Sequence, residues 1–497
     1  MRLSDLLARV ADRVSVAGDA SVEINSLAYD SRAVKPGTLF FALAGAKCDG
    51  RAFAAEAVAR GAAAVVHAPP VLGLGVTEVI CDAPRNLMGF VGDAFYAQPS
   101  VKVRLYGVTG TNGKTTTTFL LRDLLRAAGR PAGLLGTVQY DVGDGAPAEA
   151  SRTMPEAPNT HGFLACALEN GLTDVAMEVS SQGIAAERAA GLSFAAVGFS
   201  QLTGDHLDFH KTMEAYFQAK RRLFVELAPE APAAVNVRCP YGRRLLGEIA
   251  SPSRRTLSFA LDDAKADVCA DALRLDADGS TFDLHTPCGS FAGLRLPLPG
   301  RYNVENLLLA LSLALLTDTP LDPMVAALPR LHGAPGRMQT VPDPRGTRRC
   351  IVDYAHTDDA LKNVLTTLRE STQGRLWVVF GCGGDRDPTK RPRMGAVTAA
   401  LADVAVVTSD NPRSEDPDAI ICDILAGIDP KVAHAEVVVQ ADRGLAIAEA
   451  VARMSPGDTL LVAGKGHETG QLQNGIVTPF DDADVLAKAL GRDVSPS

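Results

Sequence analysis

The chain has 497 residues, 46% of them hydrophobic, and a formal net charge of −9; at the usual domain size that length makes about three units rather than one core. With no block of Lys or Arg, this balance argues against nucleic acid or an anionic membrane surface as the main partner, and small acidic substrates would need local basic pockets. No apolar run is long enough to cross a bilayer, and nine scattered cysteines without a C-x-x-C pair argue against a disulfide framework or a structural zinc site.

The first segment, "MRLSDLLARVADRVSVAGD", reads as a helix with spaced leucines and valines rather than a secretion signal, which points to the cytoplasm. From about residue 20 to 83, "SLAYDSRAVKPGTLFFALAG" and "RGAAAVVHA" suggest short strands joined by Gly and Pro turns, with a helix at "RAFAAEAVARGA". A second unit opens with the helix "NLMGFVGDAFYA" and continues through "DVAMEVSS" and "FAAVGFSQL", short apolar runs of the kind buried in parallel sheets. The Gly- and Pro-rich "LHGAPGRMQTVPDPRG" reads as a linker. After it, strand and helix signals alternate as in a doubly wound sheet. The expected fold is therefore α/β in three domains, over residues 1–85, 86–337 and 338–497.

Within the second unit, "VKVRLY", "GVTGTNGKTTTT" and "FLLRDLLRAAG" read as strand, glycine loop and helix. Such a loop holds phosphate with backbone N–H groups at a helix N-terminus; Lys114 would contact phosphate and Thr115 would ligate Mg²⁺. It departs from the usual phosphate loop, because Val108 stands where the first glycine is expected. Glu178 ends an apolar run, the natural place for an acidic residue that meets metal at a strand tip, and a lone exposed glutamate is the plainer alternative. His206 and His210 have i, i+4 spacing that also suits zinc, but no third nitrogen or sulfur ligand lies nearby in sequence. Lys220 falls at i+4 from Tyr216 and i+3 from Phe217, on the apolar face of its helix, where a lysine either snorkels or serves chemistry. In the third unit the polar clusters "GDRD", "DNPR" and "GKGHE" each follow a strand, so they should converge where ligands bind in open parallel sheets.

The motifs "GTNGKTTT", "MEVSS", "DHLDFH", "GRYNVEN", "GRM", "VDYAH", "GDRD..KRP", "DNPR" and "GKGHE", in this order over nearly the whole chain, resemble the bacterial Mur ligase family. The resemblance implies a small N-terminal uridine-nucleotide domain, a central P-loop ATPase-like parallel-sheet domain and a C-terminal Rossmann-like domain. It implies an ATP-dependent ligase that phosphorylates a substrate carboxylate and lets an amine attack the acyl phosphate. The last four motifs point to addition of meso-2,6-diaminopimelate to UDP-N-acetylmuramoyl-L-alanyl-D-glutamate in peptidoglycan precursor synthesis. The family shares its "GTNGKT" loop with folylpolyglutamate synthetases, which accounts for the missing glycine.

Carried over residue by residue, the resemblance makes Lys114, Glu178, His206, Lys220 and Arg337 catalytic. ATP would meet Gly110, Thr111, Asn112, Gly113, Lys114, Thr115, Thr116, Asn303, Asn306, Arg337 and Asp353, although the asparagines also suit helix capping. Mg²⁺ would be held by Thr115, Glu178, His206 and a CO₂-derived carbamate on Lys220. Ser31 and Lys47 would bind the uridine nucleotide, with Thr153, Ser180 and Arg188 on the peptidyl sugar. Diaminopimelate would meet Arg386, Asp410, Asn411, Pro412, Arg413, Gly464 and Glu468, with the Arg413 guanidinium on the carboxylate that lysine lacks. The expected partners are small molecules, with no nucleic acid and no membrane insertion, and a monomer is expected. Gln182, Gln201, Gly204, Gln339 and Asp358 depart from the family pattern and touch substrate-loop detail. A lysine-adding ligase, a folylpolyglutamate synthetase, or a nucleotide-dependent switch without ligation chemistry are the alternatives.

Overall fold

The computed structural model describes residues 1–497 except 46, 47, 146, 277, 432 and 492–497. Three sheets follow one another along the chain, and a two-stranded hairpin is added near its end.

The first sheet has five strands in the order Ser15–Ala17, Thr77–Ile80, Ala62–His67, Thr38–Phe41, Ser26–Ala28. The single helix expected at the N-terminus is shorter: it runs over Leu3–Leu7, continues as a 3₁₀ turn to Arg13 and breaks at Val10 (φ −133°, ψ 17°). Ser15–Ala17 then pairs antiparallel with Thr77–Ile80. A short helix has little stability of its own, so burial of Val10 and the strand pairing decide its end.

The second sheet has a parallel centre in the order Thr256–Leu261, Ala233–Asn236, Ala196–Phe199, Arg104–Thr109, Asp174–Glu178, Ala132–Leu135. Helix Arg301–Leu315 is buried on nearly every side against it, which its leucine-rich sequence requires. An antiparallel ribbon, Val268–Asp276, Gly279–Thr286 and Gly289–Leu296, extends one edge and lies outside the sequence-based expectation.

The third sheet runs Gln339–Val341, Arg349–Asp353, Thr459–Ala463, Leu376–Phe380, Val404–Val407, Glu436–Val439, all parallel except the first. Val378 and Phe380 join one apolar layer while Trp377 and Val379 join the other, because successive side chains of a strand point to opposite faces. Both faces are covered, as in a doubly wound fold. The three central strands, 459–463, 376–380 and 404–407, carry the three polar clusters at one end.

Candidate active site

Strand Arg104–Thr109 lies between Asp174–Glu178 and Ala196–Phe199 in parallel register, so all three deliver their C-terminal residues to one edge. The chain turns there through Gly110 (φ 148°) and Gly113 (φ 90°) into helix Lys114–Ala127. A Cβ on Gly110 would stand 1.9 Å from Ser200 Oγ, and one on Gly113 2.2 Å from Asn306 Oδ1, so neither position accepts a side chain. Lys114 folds back over the loop, its Nζ donating to the carbonyls of Gly110 (2.9 Å) and Thr111 (2.8 Å). Burial lowers its pKa, against the pull of Glu178.

Glu178 is buried at the strand tip and accepts from Thr115 Oγ1 (3.1 Å), Thr137 N–H (2.7 Å) and Thr137 Oγ1 (3.0 Å). Lys220 is 1% exposed; its Nζ donates to Gly110 O at 2.7 Å and lies 4.6 Å from the centre of the Tyr216 ring. Burial, reinforced by the Lys114 ammonium, holds its pKa well below the ordinary lysine value. Arg221 and Arg222 pair instead with Glu248, Glu187 and Glu226. His206 adopts a left-handed backbone (φ 54°), and its imidazole stands 3.5 Å from the Asp205 carboxylate. His210 meets Ser181 Oγ at 2.9 Å, and among the described residues no group of three His, Cys, Asp or Glu is arranged to hold a metal.

Arg337, at the boundary of the second and third units, stacks over Tyr354 of the third at 4.2 Å and reaches Thr115 Oγ1 at 3.4 Å. Asp353 accepts the N–H groups of Met338 (2.7 Å) and Ala355 (2.8 Å), so it fixes the turns on which Arg337 and Tyr354 sit, and burial raises its pKa. Asn303 Nδ2 bonds Pro299 O at 2.8 Å and steadies the start of its helix. Asp359, not singled out from sequence, accepts from Asn112 Nδ2 (3.3 Å) and Thr203 Oγ1 (3.0 Å), tying the third unit to the phosphate loop.

One cavity of about 400 Å³ is lined by Thr111 to Thr116, Glu178, His206, Lys220, Asn303, Asn306, Arg337 and Asp353 together with Thr153, Ser180 and Arg188. Two expected groups, for nucleotide and for peptidyl sugar, thus share one space. Ser180 also caps helix Ser181–Ala185, accepting from Gly183 N–H at 3.1 Å, and Arg188 pairs with Glu156 at 3.1 Å. Ser31 lies in the first unit, outside this lining, and donates to Glu56 at 3.2 Å. Lys47 lies outside the described residues. Of the departures, Gln182 and Gln201 line the cavity, Gly204 faces open space, Gln339 accepts from Gly336 N–H (2.7 Å) and Asp358 pairs with Arg393 (3.1 Å).

The three polar clusters of the third sheet meet. Gly384 N–H donates to Asn411 O (2.9 Å), and Arg413 Nη1 donates to Gly384 O (2.7 Å). Arg413 takes φ 55°, its backbone pinned between Leu472 O (3.0 Å) and Asn474 N–H (2.6 Å). Glu415 is occupied by Arg391 at 2.9 Å. Pro412 O crowds Gly384, where a Cβ would come within 1.9 Å, and a Cβ on Gly464 would meet Asp410 Oδ2 at 2.6 Å. Glu468 accepts from Asn411 Nδ2 at 2.7 Å, and Arg386 stands exposed at the rim. His467 bridges the two sites, its ring 5.2 Å from that of Tyr354 on the cavity wall. The hairpin Gly470–Gln473 and Ile476–Pro479 that pins Arg413 was missed in sequence, although its Asn474-Gly475 turn is a hairpin signal.

Residues 23–85 match the Mur ligase family, catalytic domain; 108–314 match the Mur ligase middle domain; and 336–466 match the Mur ligase, glutamate ligase domain. A Streptomyces coelicolor protein described as UDP-N-acetylmuramoyl-L-alanyl-D-glutamate--2,6-diaminopimelate ligase is 43% identical over 496 residues, 98% of this chain and 96% of its own. The chain belongs to the Mur ligase family. A Synechococcus elongatus protein of the same description is 42% identical over 501 residues, covering 99% of both chains. A solved structure of that description has a TM-score of 0.70 and 33% identity over 99% of each chain. Within this Mur ligase, the phosphate loop belongs to the middle-domain match and the Asn411–Arg413 cluster to the glutamate-ligase match.

Proposed function

We propose that the chain joins meso-2,6-diaminopimelate to UDP-N-acetylmuramoyl-L-alanyl-D-glutamate at the expense of ATP, as the names of its full-length relatives describe for them. The observation that carries the reading is the single cavity in which the phosphate loop faces Thr153, Ser180 and Arg188, so that a nucleotide and an acidic acceptor can meet. A carboxylate has no usable leaving group, and phosphoryl transfer supplies one. The substrate carboxylate attacks the γ-phosphorus, the bond to the bridging oxygen breaks and ADP leaves. The amine then attacks the acyl carbon, the acyl C–O bond breaks, phosphate departs and the nitrogen loses its proton to base.

Lys114 and the loop N–H groups would hold the phosphate oxygens in line. Thr115 and Glu178 lie 3.1 Å apart as an all-oxygen set at a strand tip, which fits Mg²⁺ rather than a softer metal. Bound there, Mg²⁺ supplies charge neutralisation for the phosphates. His206 stands on the same wall. Lys220, buried and with its pKa pushed well down, has the free amine that reaction with CO₂ needs, and the carbamate would be an anion suited to the metal side of the loop. Asn303, Asn306, Arg337 and Asp353 would order the nucleotide end, directly or through the turns they hold. Ser31 belongs to the uridine end.

At the second cluster, Arg413 would take the distal carboxylate as a bidentate fork, with Arg386 as a second cation, and Asp410 and Glu468 would face the amino groups. Purified protein given ATP, Mg²⁺, the UDP-linked dipeptide and a panel of amino acids should yield, by mass, the diaminopimelate adduct. L-Lysine in this pocket leaves the Arg413 guanidinium without a carboxylate, a loss on the order of a few kcal/mol in a closed site. Comparable kcat/KM for the two amino acids would overturn the assignment of amino acid, and ATP hydrolysis at full rate without any amino acid would overturn the ligase reading. Arg413→Ala should raise the KM for diaminopimelate far more than that for ATP.

A further inference from the structure

The side chain of Lys465 is wholly buried, yet its charge serves neither the phosphate loop nor any step above. Its Nζ donates to Asn411 Oδ1 (3.1 Å) and Glu468 Oε2 (3.2 Å). Asn411 Oδ1 also accepts from Leu472 N–H at 2.9 Å, while Asn411 Nδ2 donates to the same Glu468 Oε2 at 2.7 Å. An ammonium and a peptide N–H can only donate, so they fix which end of the Asn411 amide is oxygen and exclude the flipped rotamer. Both lone pairs of that oxygen are then spent inside the protein. Asn411, which the resemblance placed among the residues that meet diaminopimelate, therefore has no side-chain acceptor left for an amino group of the substrate. Among the described residues, both internal hydrogen bonds of the Glu468 carboxylate fall on Oε2, which leaves Oε1 for an incoming ammonium. The turn is closed by Glu468 N–H on Lys465 O at 3.0 Å, so the two side chains keep their spacing.

We infer that Lys465 is a positioning residue: from beneath the site it locks Asn411 and turns Glu468 so that its free oxygen meets an amino group of the amino-acid substrate. The inference rests on the amino-acid site proposed above. Its effect should fall on one substrate, because among the described residues the hydrogen bonds of its ammonium run only to Asn411 and Glu468.

The test is steady-state kinetics on Lys465→Met, Glu468→Gln and the double variant, with Arg413→Ala as control. Lys465→Met should raise the KM for diaminopimelate about tenfold or more and that for ATP by less than about twofold. Because the lysine acts through Glu468, the double variant should match Glu468→Gln within about twofold. Multiplied losses in the double variant, or equal rises in both KM values, overturn the inference. If Lys465→Met does not fold, Glu468→Gln against the double variant, which buries no lone charge, decides by the same parity. If Arg413→Ala and Glu468→Gln both leave the diaminopimelate KM unchanged, the site itself is misplaced; if they raise it and Lys465→Met does not, only the role of Lys465 falls.

Discussion

At the scale of residues, the loop environment works through two lysines that meet at one carbonyl. Lys114 and Lys220 both donate to Gly110 O, at 2.9 and 2.7 Å, so two amines crowd a single acceptor. Burial pushes both pKa values down, and that of Lys220 further. The two positions should fail in different ways. Lys114→Ala removes the cation that phosphate oxygens would meet, and product formation should fall by about a hundredfold or more while circular dichroism shows an intact fold. Near-normal turnover by the folded variant would reject the phosphate-loop assignment. Lys220→Ala should be nearly inactive as well, but added short-chain carboxylic acids should restore part of its rate by placing a carboxylate where the proposed carbamate would stand. Full activity without additive would reject the carbamate.

At the scale of elements, the cluster of Asn411, Arg413 and Glu468 depends on how strand ends are clamped. Arg443 opens helix Arg443–Arg453 and Asp482 opens helix Asp482–Ala489; both side chains are wholly buried. Arg443 donates Nε and Nη2 to the two carboxylate oxygens, each at 2.7 Å, and Nη2 also to Ala463 O at 2.9 Å, the last residue before Gly464. Arg443→Leu strands a buried carboxylate and should cost about 3–5 kcal/mol, read as a lowered urea midpoint. Arg443→Leu/Asp482→Leu should recover much of it, since well-packed apolar pairs replace buried ion pairs without great loss. A double variant no more stable than the single would show that the pair holds geometry rather than compensating charge.

At the scale of the whole molecule, helix Pro84–Phe95, expected from sequence to open the second unit, instead buries Leu87, Met88 and Val91 in the core of the first, and through it the first unit docks on helix Ala157–Glu169 of the second. His161 is buried there, 3.8 Å from the Asp93 carboxylate, and a Cβ on Gly92 would come within 3.1 Å of its ring. Burial pushes its pKa down to about 4. A histidine depressed in the folded state binds its proton more readily when unfolded, so stability falls as pH drops from about 6.5 toward 4. At pH 5 the contribution of His161 is about 2 kcal/mol of lost stability relative to pH 7. His161→Gln should flatten the fall in unfolding free energy between pH 7 and pH 5, and an unchanged slope would remove His161 as its source. Farther along, Asp359 reaches from the third unit to Asn112, and Arg337 at the boundary reaches from Tyr354 to Thr115, so groups of both units meet at the loop around Lys114.

What the sequence determined by itself was local. Hydrophobic period and glycine placement marked strand, loop and helix around Lys114, because Gly110 and Gly113 have no room for a Cβ. Helical spacing placed Lys220 on its buried face, and strand-end position brought "GDRD", "DNPR" and "GKGHE" to one edge. Tertiary structure alone decided which donors fill which acceptors. Asn411 reads in sequence as a residue that meets the substrate, and only the approach of Leu472 N–H and Lys465 Nζ from elsewhere in the fold spends its oxygen. The N-terminal segment reads as one helix, and only pairing of Ser15–Ala17 with Thr77–Ile80 ends it early. The reason is common to both: periodicity is fixed by neighbours a few residues apart, whereas hydrogen-bond capacity is finite and is allotted among groups that meet only after the chain has folded.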